Sequence, residues 1–335
     1  EEAGYSWLGP TAMNIHAPDE GNIHLMEEVA TPEQKARWLR PQVEGHIRSC
    51  FCMTEPAPGA GADPSMLKTA AVRDGDHYVI NGRKWFNTGA MHPLARLIVV
   101  LGVSDEREET PRHRRQSFVL VPIDAPGVEI VRNTPIMNHH SPEGHCEVLF
   151  RDVRVPATNL LGEEGAGFAL AQARLGPGRV HHCMRTIGAA ERALELMCKR
   201  LNSRTAFGKL VSAQGVWRER IAESRIMIEQ ARLLTLKAAY MMDTVGNKVA
   251  RREIAMIKVI APIMATQIID WAIQAHGGGG VSDDFPLAYA YAHPRTLRLA
   301  DGPDEVHRNS IAKLELARHI ATMPQDVEMP ITRGS

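Results

Sequence analysis

The hydrophobic period of this chain changes twice, and that order constrains the fold more than any other feature. Residues 1–48 read as helix and loop: in TPEQKARWLRP, Thr31 is placed to cap a helix, Pro32 to open it and Pro41 to stop it. Over 49–160 the texture becomes that of short strands. RLIVVLGV, QSFVLVPI, GVEIV and CEVLFRDVRVP follow at short intervals. TAAVRDGDHYVINGRKWF carries two turn signals, Asp74-Gly75 and Asn81-Gly82, each predicting a hairpin. This pattern predicts a small sandwich or barrel.

After NLLGEEGAGF, over 161–335, the period turns helical. Val180, Met184, Ile187, Leu194, Met197 and Leu201 share one face of a long helix opened by GPGRV. A second helix ends near Gly246-Asn247, a third at Gly277–Gly280, and the last runs from near Asp304 to His319. The expected architecture is an α+β multi-domain chain: a truncated N-terminal α-helical domain, a middle β-barrel or sandwich, and a C-terminal up-and-down four-helix bundle. This is not the strand–helix alternation of a dinucleotide-binding Rossmann domain.

Charge and composition exclude several classes. Lys plus Arg and Asp plus Glu both number 39, so the basic surplus expected of a nucleic-acid binder is missing. No run approaches the roughly 18 apolar residues of a membrane span. The five cysteines are odd in number and sparse, which argues for a reducing compartment over a disulfide-stapled secreted chain. The expected locations are a bacterial cytoplasm, a mitochondrion or a peroxisome. The chain opens without Met, and its N-terminal domain is expected to lack its first helices.

The motifs each admit a bland reading. Thr54-Glu55-Pro56, after FCM, is a strand exit or part of a site beside a Gly/Ala-rich turn. In KWFNTG, Trp85, Phe86 and Thr88 either pack a core or cover and hydrogen-bond a flat heterocycle. His181-His182-Cys183 cannot converge on a metal, because helical neighbours diverge by roughly 100°. His139, His140, His145 and Cys146 form a polar loop or a metal site, the former being preferred. Arg204 and Lys209 suit a phosphate or solvent. QAHGGGG has more glycine than one helix end needs, which points to a close approach by a ligand or a second chain.

In this order, FCMTEP, NGRKWFNTG, RDVRVPATNLLGEEGAGF, RTAFGK, QAHGGGGV and DGPDEVHR resemble the acyl-CoA dehydrogenase family of flavoproteins. The resemblance is strongest with the branch of family members ten and eleven, through FCMTEP, RLGPGRVHHCMRT and LADGPDEVH. It implies bound FAD, with Phe51, Met53 and Thr54 at the flavin, Phe86 stacked beside it and Thr88 near its N5. It also implies that Arg204, Phe207, Gln214, Gln274 and Gly278 reach the FAD of a neighbouring subunit, in a homodimer or homotetramer. Pro303 and Glu305 replace the usual Thr and Gln beside the adenosine portion, and Ala206 replaces a hydroxyl residue. Arg179 falls where the family keeps an arginine at the acyl-CoA site.

The family's base is commonly Glu before Gly; here Asp301 precedes Gly302. Read alone, Asp301 is the N-cap of the last helix, with Asp304 at its third position. The resemblance makes it the catalytic base, since the alternative family position is Gly176. The implied reaction takes an α-proton to Asp301 and a β-hydride to the flavin, giving a trans-2-enoyl-CoA in fatty acid β-oxidation. Electron-transfer flavoprotein is the implied electron acceptor. Burial is expected to raise the Asp301 pKa. A nitroalkane-oxidase-like flavoenzyme and a non-catalytic assembly member of the same fold are the alternatives.

Overall fold

The computed structural model describes residues 1–320 apart from Trp7 and Pro142. The chain begins with short helices: α1 (Gly9–Ala12), α2 (Asp19–Val29), α3 (Pro32–Gln34) and α4 (Arg40–Val43). Thr31 caps α3 in a capping box, its hydroxyl accepting from Gln34 N while the Gln34 amide accepts from Thr31 N. Pro41 does not stop the helix. A π-helical segment, Lys35–Leu39, carries the chain into α4, where Pro41 sits in the first turn and its missing N–H costs nothing. The helix ends instead at Glu44, before Gly45 at φ 76°.

The middle region holds β1 (Arg48–Cys52), β2 (Ala70–Asp74), β3 (His77–Thr88), β4 (Ala95–Val103), β5 (Gln116–Pro122), β6 (Val128–Asn133), β7 (His145–Pro156) and β8 (Leu160–Leu161). All eight strands join one sheet in the order β6-β7-β3-β2-β4-β5-β8, with β1 parallel to β4. The Asp74-Gly75 signal makes its hairpin, pairing Asp74 with His77. Asn81-Gly82 does not: both lie inside β3, at a bulge. The Asn81 side chain is spent on Asp152, and a side chain at Gly82 would meet Thr69 Oγ1 at 2.4 Å. Gly82 is there for close approach, not for a turn.

Strand β4 shows why the run RLIVVLGV has no polar alternation. Ile98 and Val100 pack with Cys50, Tyr78 and Val119 on one face. Leu97, Val99 and Leu101 pack with Leu25, Met26 and Trp38 on the other. Both faces are buried, so both need apolar side chains.

The rest is helical: α5 (Gly167–Ser203), a small hairpin of β9 (Thr205–Ala206) and β10 (Lys209–Leu210), α6 (Gly215–Val245), α7 (Asn247–His276), α8 (Leu287–Leu297) and α9 (Asp304–Ile320). GPGRV does not open α5, which starts nine residues before Gly176 and passes through Pro177. Ile187, Leu194, Met197 and Leu201 bury the predicted face against Ile257, Met264 and Ile268 of α7. Helix α8 was hidden in sequence by Pro286 and Pro294, the first at its N-cap and the second inside it. The membrane expectation needs a correction. An 18-residue window within Asn247–Val281 reaches a mean hydropathy of 1.5 with few charges, the composition of a membrane span. Its buried residues face α5, α6 and α8 in the bundle core.

Candidate active site

Asp301 stands at φ 56° in the turn between α8 and α9. It does not cap α9. The helix begins at Asp304, whose N–H donates to the Arg298 carbonyl, while the Asp301 carboxylate lies 3.2 Å from His182 Nε2 on α5. The Asp301 carbonyl accepts twice, from Arg179 Nε at 3.1 Å and His307 Nε2 at 3.1 Å. Two donors on one carbonyl fix the peptide plane that a left-handed non-glycine residue strains. Gly302 follows at φ 100°, and a side chain there would meet His307 Nε2 at 2.9 Å.

The charge around Asp301 is mostly positive. Lys258 is fully buried on α7 and donates to the Leu297 carbonyl; Arg179 and Arg174 approach from α5. Burial pushes the Asp301 carboxyl up, but the His182 hydrogen bond and the charges of Lys258 and Arg179 outweigh it. The group is held well below the ordinary carboxylate range, the reverse of the sequence expectation. Burial pushes His307 down to about 4. The acidic neighbour Asp304 is 2% exposed and accepts from Arg298 Nε at 2.8 Å, so it is a structural anchor. Glu305 is exposed, and Pro303 beside it is half-buried. Gly176, the alternative base position, is crowded by the Asn247 side chain at 3.1 Å from where a Cβ would stand.

A second set of residues belongs to the sheet. The Phe51 ring lies beneath the Arg174 guanidinium at 3.8 Å and beside Phe118 at 5.6 Å. The Met53 carbonyl accepts from Lys84 Nζ, and the Thr54 carbonyl from Trp85 N. Phe86 is 41% exposed at φ 54°, tilted against Trp85. The Thr88 hydroxyl is 2.8 Å from His145 Nδ1.

Arg174, stacked on Phe51 and acted on by the charge of Asp301, links the two sets, and several histidines act on one another nearby. His293 stands on α8 with its side chain exposed. Desolvation pushes it down strongly, aided by Arg185, His182, His16 and His145. His145, paired with Thr88 on the sheet, and His182, paired with Asp301 on the bundle, both act electrostatically on His293. Sequence reasoning missed His182, Lys258, Arg174, Arg185 and His293. The doubled histidine before Cys183 was visible, but was weighed only as a metal site. Among the described residues, no group of three or more His, Cys, Asp or Glu side chains converges as a metal site.

Among the described residues, the remaining predicted side chains make no hydrogen bond or ion pair to Asp301. Arg204, Gln274 and Gly278 are exposed and Gln214 is half-buried. Phe207, at φ 52° between β9 and β10, is 98% exposed. A bare aromatic ring at a hairpin tip is an unfilled contact. A side chain added at Gly277 or Gly278 would meet nothing within 4 Å, so the glycine run borders open space.

A β-sheet middle region, a helical bundle and an ionised carboxylate in the turn between α8 and α9 fit the acyl-CoA dehydrogenase pattern that the motifs resemble. Residues 50–153 match the acyl-CoA dehydrogenase middle domain and residues 165–316 its C-terminal domain. FadE2 of Mycobacterium tuberculosis, provisionally named an acyl-CoA dehydrogenase, is 54% identical over 323 residues, covering 96% of this chain and 79% of its own. Human acyl-CoA dehydrogenase family member 11 is 51% identical over 320 residues, but the 94% of this chain that aligns spans only 40% of that protein. A solved Mycobacterium abscessus structure, provisionally named likewise, superposes with a TM-score of 0.92 at 51% identity, covering 95% of this chain and 77% of that one. The chain belongs to the acyl-CoA dehydrogenase family, whose members bind FAD. The uncovered rings of Phe86 and Phe207 and the open glycine run fit such a group.

Proposed function

We propose that this chain catalyses the α,β-dehydrogenation of an acyl-CoA thioester, with Asp301 as the base. The observation that supports it is the state of the Asp301 carboxylate. One oxygen, Oδ2, is held by His182, and among the described residues nothing occupies Oδ1. The surrounding cations keep the group ionised, which a base requires, while the same charges weaken it as a proton acceptor.

The thioester oxygen needs donors while the α-proton leaves. Among the described residues no acceptor takes the Asp301 N–H, although its carbonyl is doubly bonded. That N–H serves the thioester oxygen in this reading, and Arg179 and His307 fix the peptide that carries it. Asp301 then takes the α-proton on Oδ1. Bound FAD supplies the acceptor for the β-hydride. Met53, Thr54, Phe86 and Thr88 would hold its ring; Arg204, Phe207, Gln214, Gln274, Gly278, Pro303 and Glu305 would hold it across an assembly of at least two copies. Electron-transfer flavoprotein is the proposed acceptor of the electrons.

The test is anaerobic mixing of the FAD-loaded protein with an acyl-CoA panel. Bleaching of the flavin absorbance supports the reading. Oxygen consumption with a nitroalkane and no bleaching by any acyl-CoA would replace it with the oxidase.

A further inference from the structure

Among the described residues, His182 is the side chain that touches the Asp301 carboxylate. Arg185, one turn along α5, places Nη2 2.9 Å from His182 Nδ1. A guanidinium has only donors, so Nδ1 accepts and the ring proton sits on Nε2, the nitrogen that stands 3.2 Å from Asp301 Oδ2. Arg185 is itself anchored from the N-terminal region. Its Nη1 donates to the Ile15 carbonyl and its Nη2 lies 3.5 Å from Glu20 Oε1. The side chains of Glu20, Arg185 and His182 are each 10% exposed or less.

We infer that Glu20, Arg185 and His182 form a positioning relay that fixes Asp301 Oδ2 and thereby aims Oδ1 at the α-proton of the substrate. The inference rests on the acyl-CoA reading. An aspartate is one methylene shorter than the family's usual glutamate, and its terminal torsion is broad. Left free, the carboxylate could turn toward Lys258 or Arg179, and a reach error of about 1 Å is costly in rate. The His182 N–H removes that freedom. No proton travels along the relay: the α C–H bond breaks, an O–H bond forms on Oδ1, the electron pair stays with the substrate, and His182 keeps its proton throughout.

The electrostatic surroundings make the relay testable by pH. Arg174, Arg179 and Arg185 on α5 and Lys258 on α7 are charged groups that interact with Asp301, and Glu20 on α2 faces Arg174 and Arg185. Among the described residues, Cys183 on α5 and Asp304 and His307 on α9 are further titratable groups there. Removing the His182 donor leaves burial less opposed, so the carboxyl must become easier to protonate.

The experiment uses the FAD-loaded protein with a 3-thiaacyl-CoA, which offers an acidic α-proton but cannot lose a β-hydride. Exchange of that proton into D2O is followed by NMR. The wild type is expected to exchange with a flat profile between about pH 5.5 and 8, its base being ionised throughout. His182→Met should slow exchange at pH 7 by on the order of tenfold or more and bring an acid limb into that window. His182→Gln, close in shape and still a donor, should recover most of the rate. Flavin content should be equal in all three. A Met variant with the wild-type rate and profile overturns the relay, as does one whose rate falls only in step with lost flavin. A wild type with its own acid limb near neutrality overturns it without any variant. Wild-type protein that binds FAD yet exchanges the α-proton of no acyl-CoA overturns the function itself, and is distinct from those outcomes.

Discussion

Lys84 Nζ lies 2.9 Å from Glu55 Oε1, and neither side chain is more than 3% exposed. Lys84 also donates to the Met53 carbonyl, while Glu55 accepts from Lys68 N and Thr69 N. The pair thus ties β3 to the segment bearing Met53 and Thr54. Burial pushes Lys84 down to about 8. Burial alone would push Glu55 up, but Lys84 and the Thr69 contacts hold it below its ordinary value. The pair is therefore ionised at neutral pH.

Breaking one side of such a pair strands a buried charge. Lys84→Met should destabilise the protein by about 3–5 kcal/mol in urea unfolding. The double variant Lys84→Met with Glu55→Gln should be more stable than Lys84→Met alone, because no charge is left unpaired. Equal stabilities for the two would mean that the cost of the single change is one of packing.

Asp301→Asn separates the two readings that the sequence left open. The side chain makes no cap, so α9 keeps its start. Asn leaves Arg179 and the buried Lys258 with one counter-charge fewer, so some stability should be lost while the fold and its flavin are kept. Flavin reduction by acyl-CoA should slow by at least about 10²-fold, the share of a general base. Arg179→Ala should also lower turnover far more than flavin content, because Arg179 holds the Asp301 carbonyl and not the cofactor. Rapid-mixing kinetics with flavin absorbance measures both. A wild-type reduction rate in Asp301→Asn would remove Asp301 from the chemistry.

His307 gives a pH dependence of stability with a fixed sign. Its ordinary value is 6.5, and burial holds the folded group at about 4. Between those values the unfolded chain binds the proton and the folded chain does not, so stability falls as pH drops through that window. His307→Gln keeps a donor for the Asp301 carbonyl but does not titrate. Its stability, followed by urea unfolding at several pH values, should decline less steeply from 6.5 to 4 than the wild type's. Parallel slopes would place the proton elsewhere.

How much of this was legible follows from what each residue answers to. The helix-β-helix order, the Thr31 cap and the Asp74-Gly75 hairpin are set by local chemistry, and local chemistry is written in sequence. Asn81-Gly82 and Pro41 failed for the same reason: a distant partner, Asp152 or Thr69, or an upstream π segment, decided the backbone. Asp301 was found through its family position, since its spacing alone reads as a cap. The charge around it was not found. His182, Lys258 and Arg185 come from α5 and α7, 43 or more residues from Asp301 in the chain, and only the packing of the bundle brings them together. The expected rise of the Asp301 pKa failed because burial was counted without those cations.

Gly278 and Phe207 test the assembly. A side chain at Gly278 would meet nothing of its own chain within 4 Å, so Gly278→Val should leave the fold intact. The residue just before it, Gly277, holds φ 64°, where any side chain would strain the backbone. If the open space at Gly278 takes FAD, the added side chain should displace it, seen as a lower ratio of 450 nm to 280 nm absorbance, roughly the loss expected for an overfilled contact. Phe207, 98% exposed, has no role in its own chain's core, so Phe207→Ser should not lower the unfolding midpoint of apoprotein. It should lower FAD retention, and sedimentation should show dimers or larger assemblies in the wild type. A wild type that is a monomer with full FAD, or a Phe207→Ser protein with undiminished flavin, would show that no second copy completes the site.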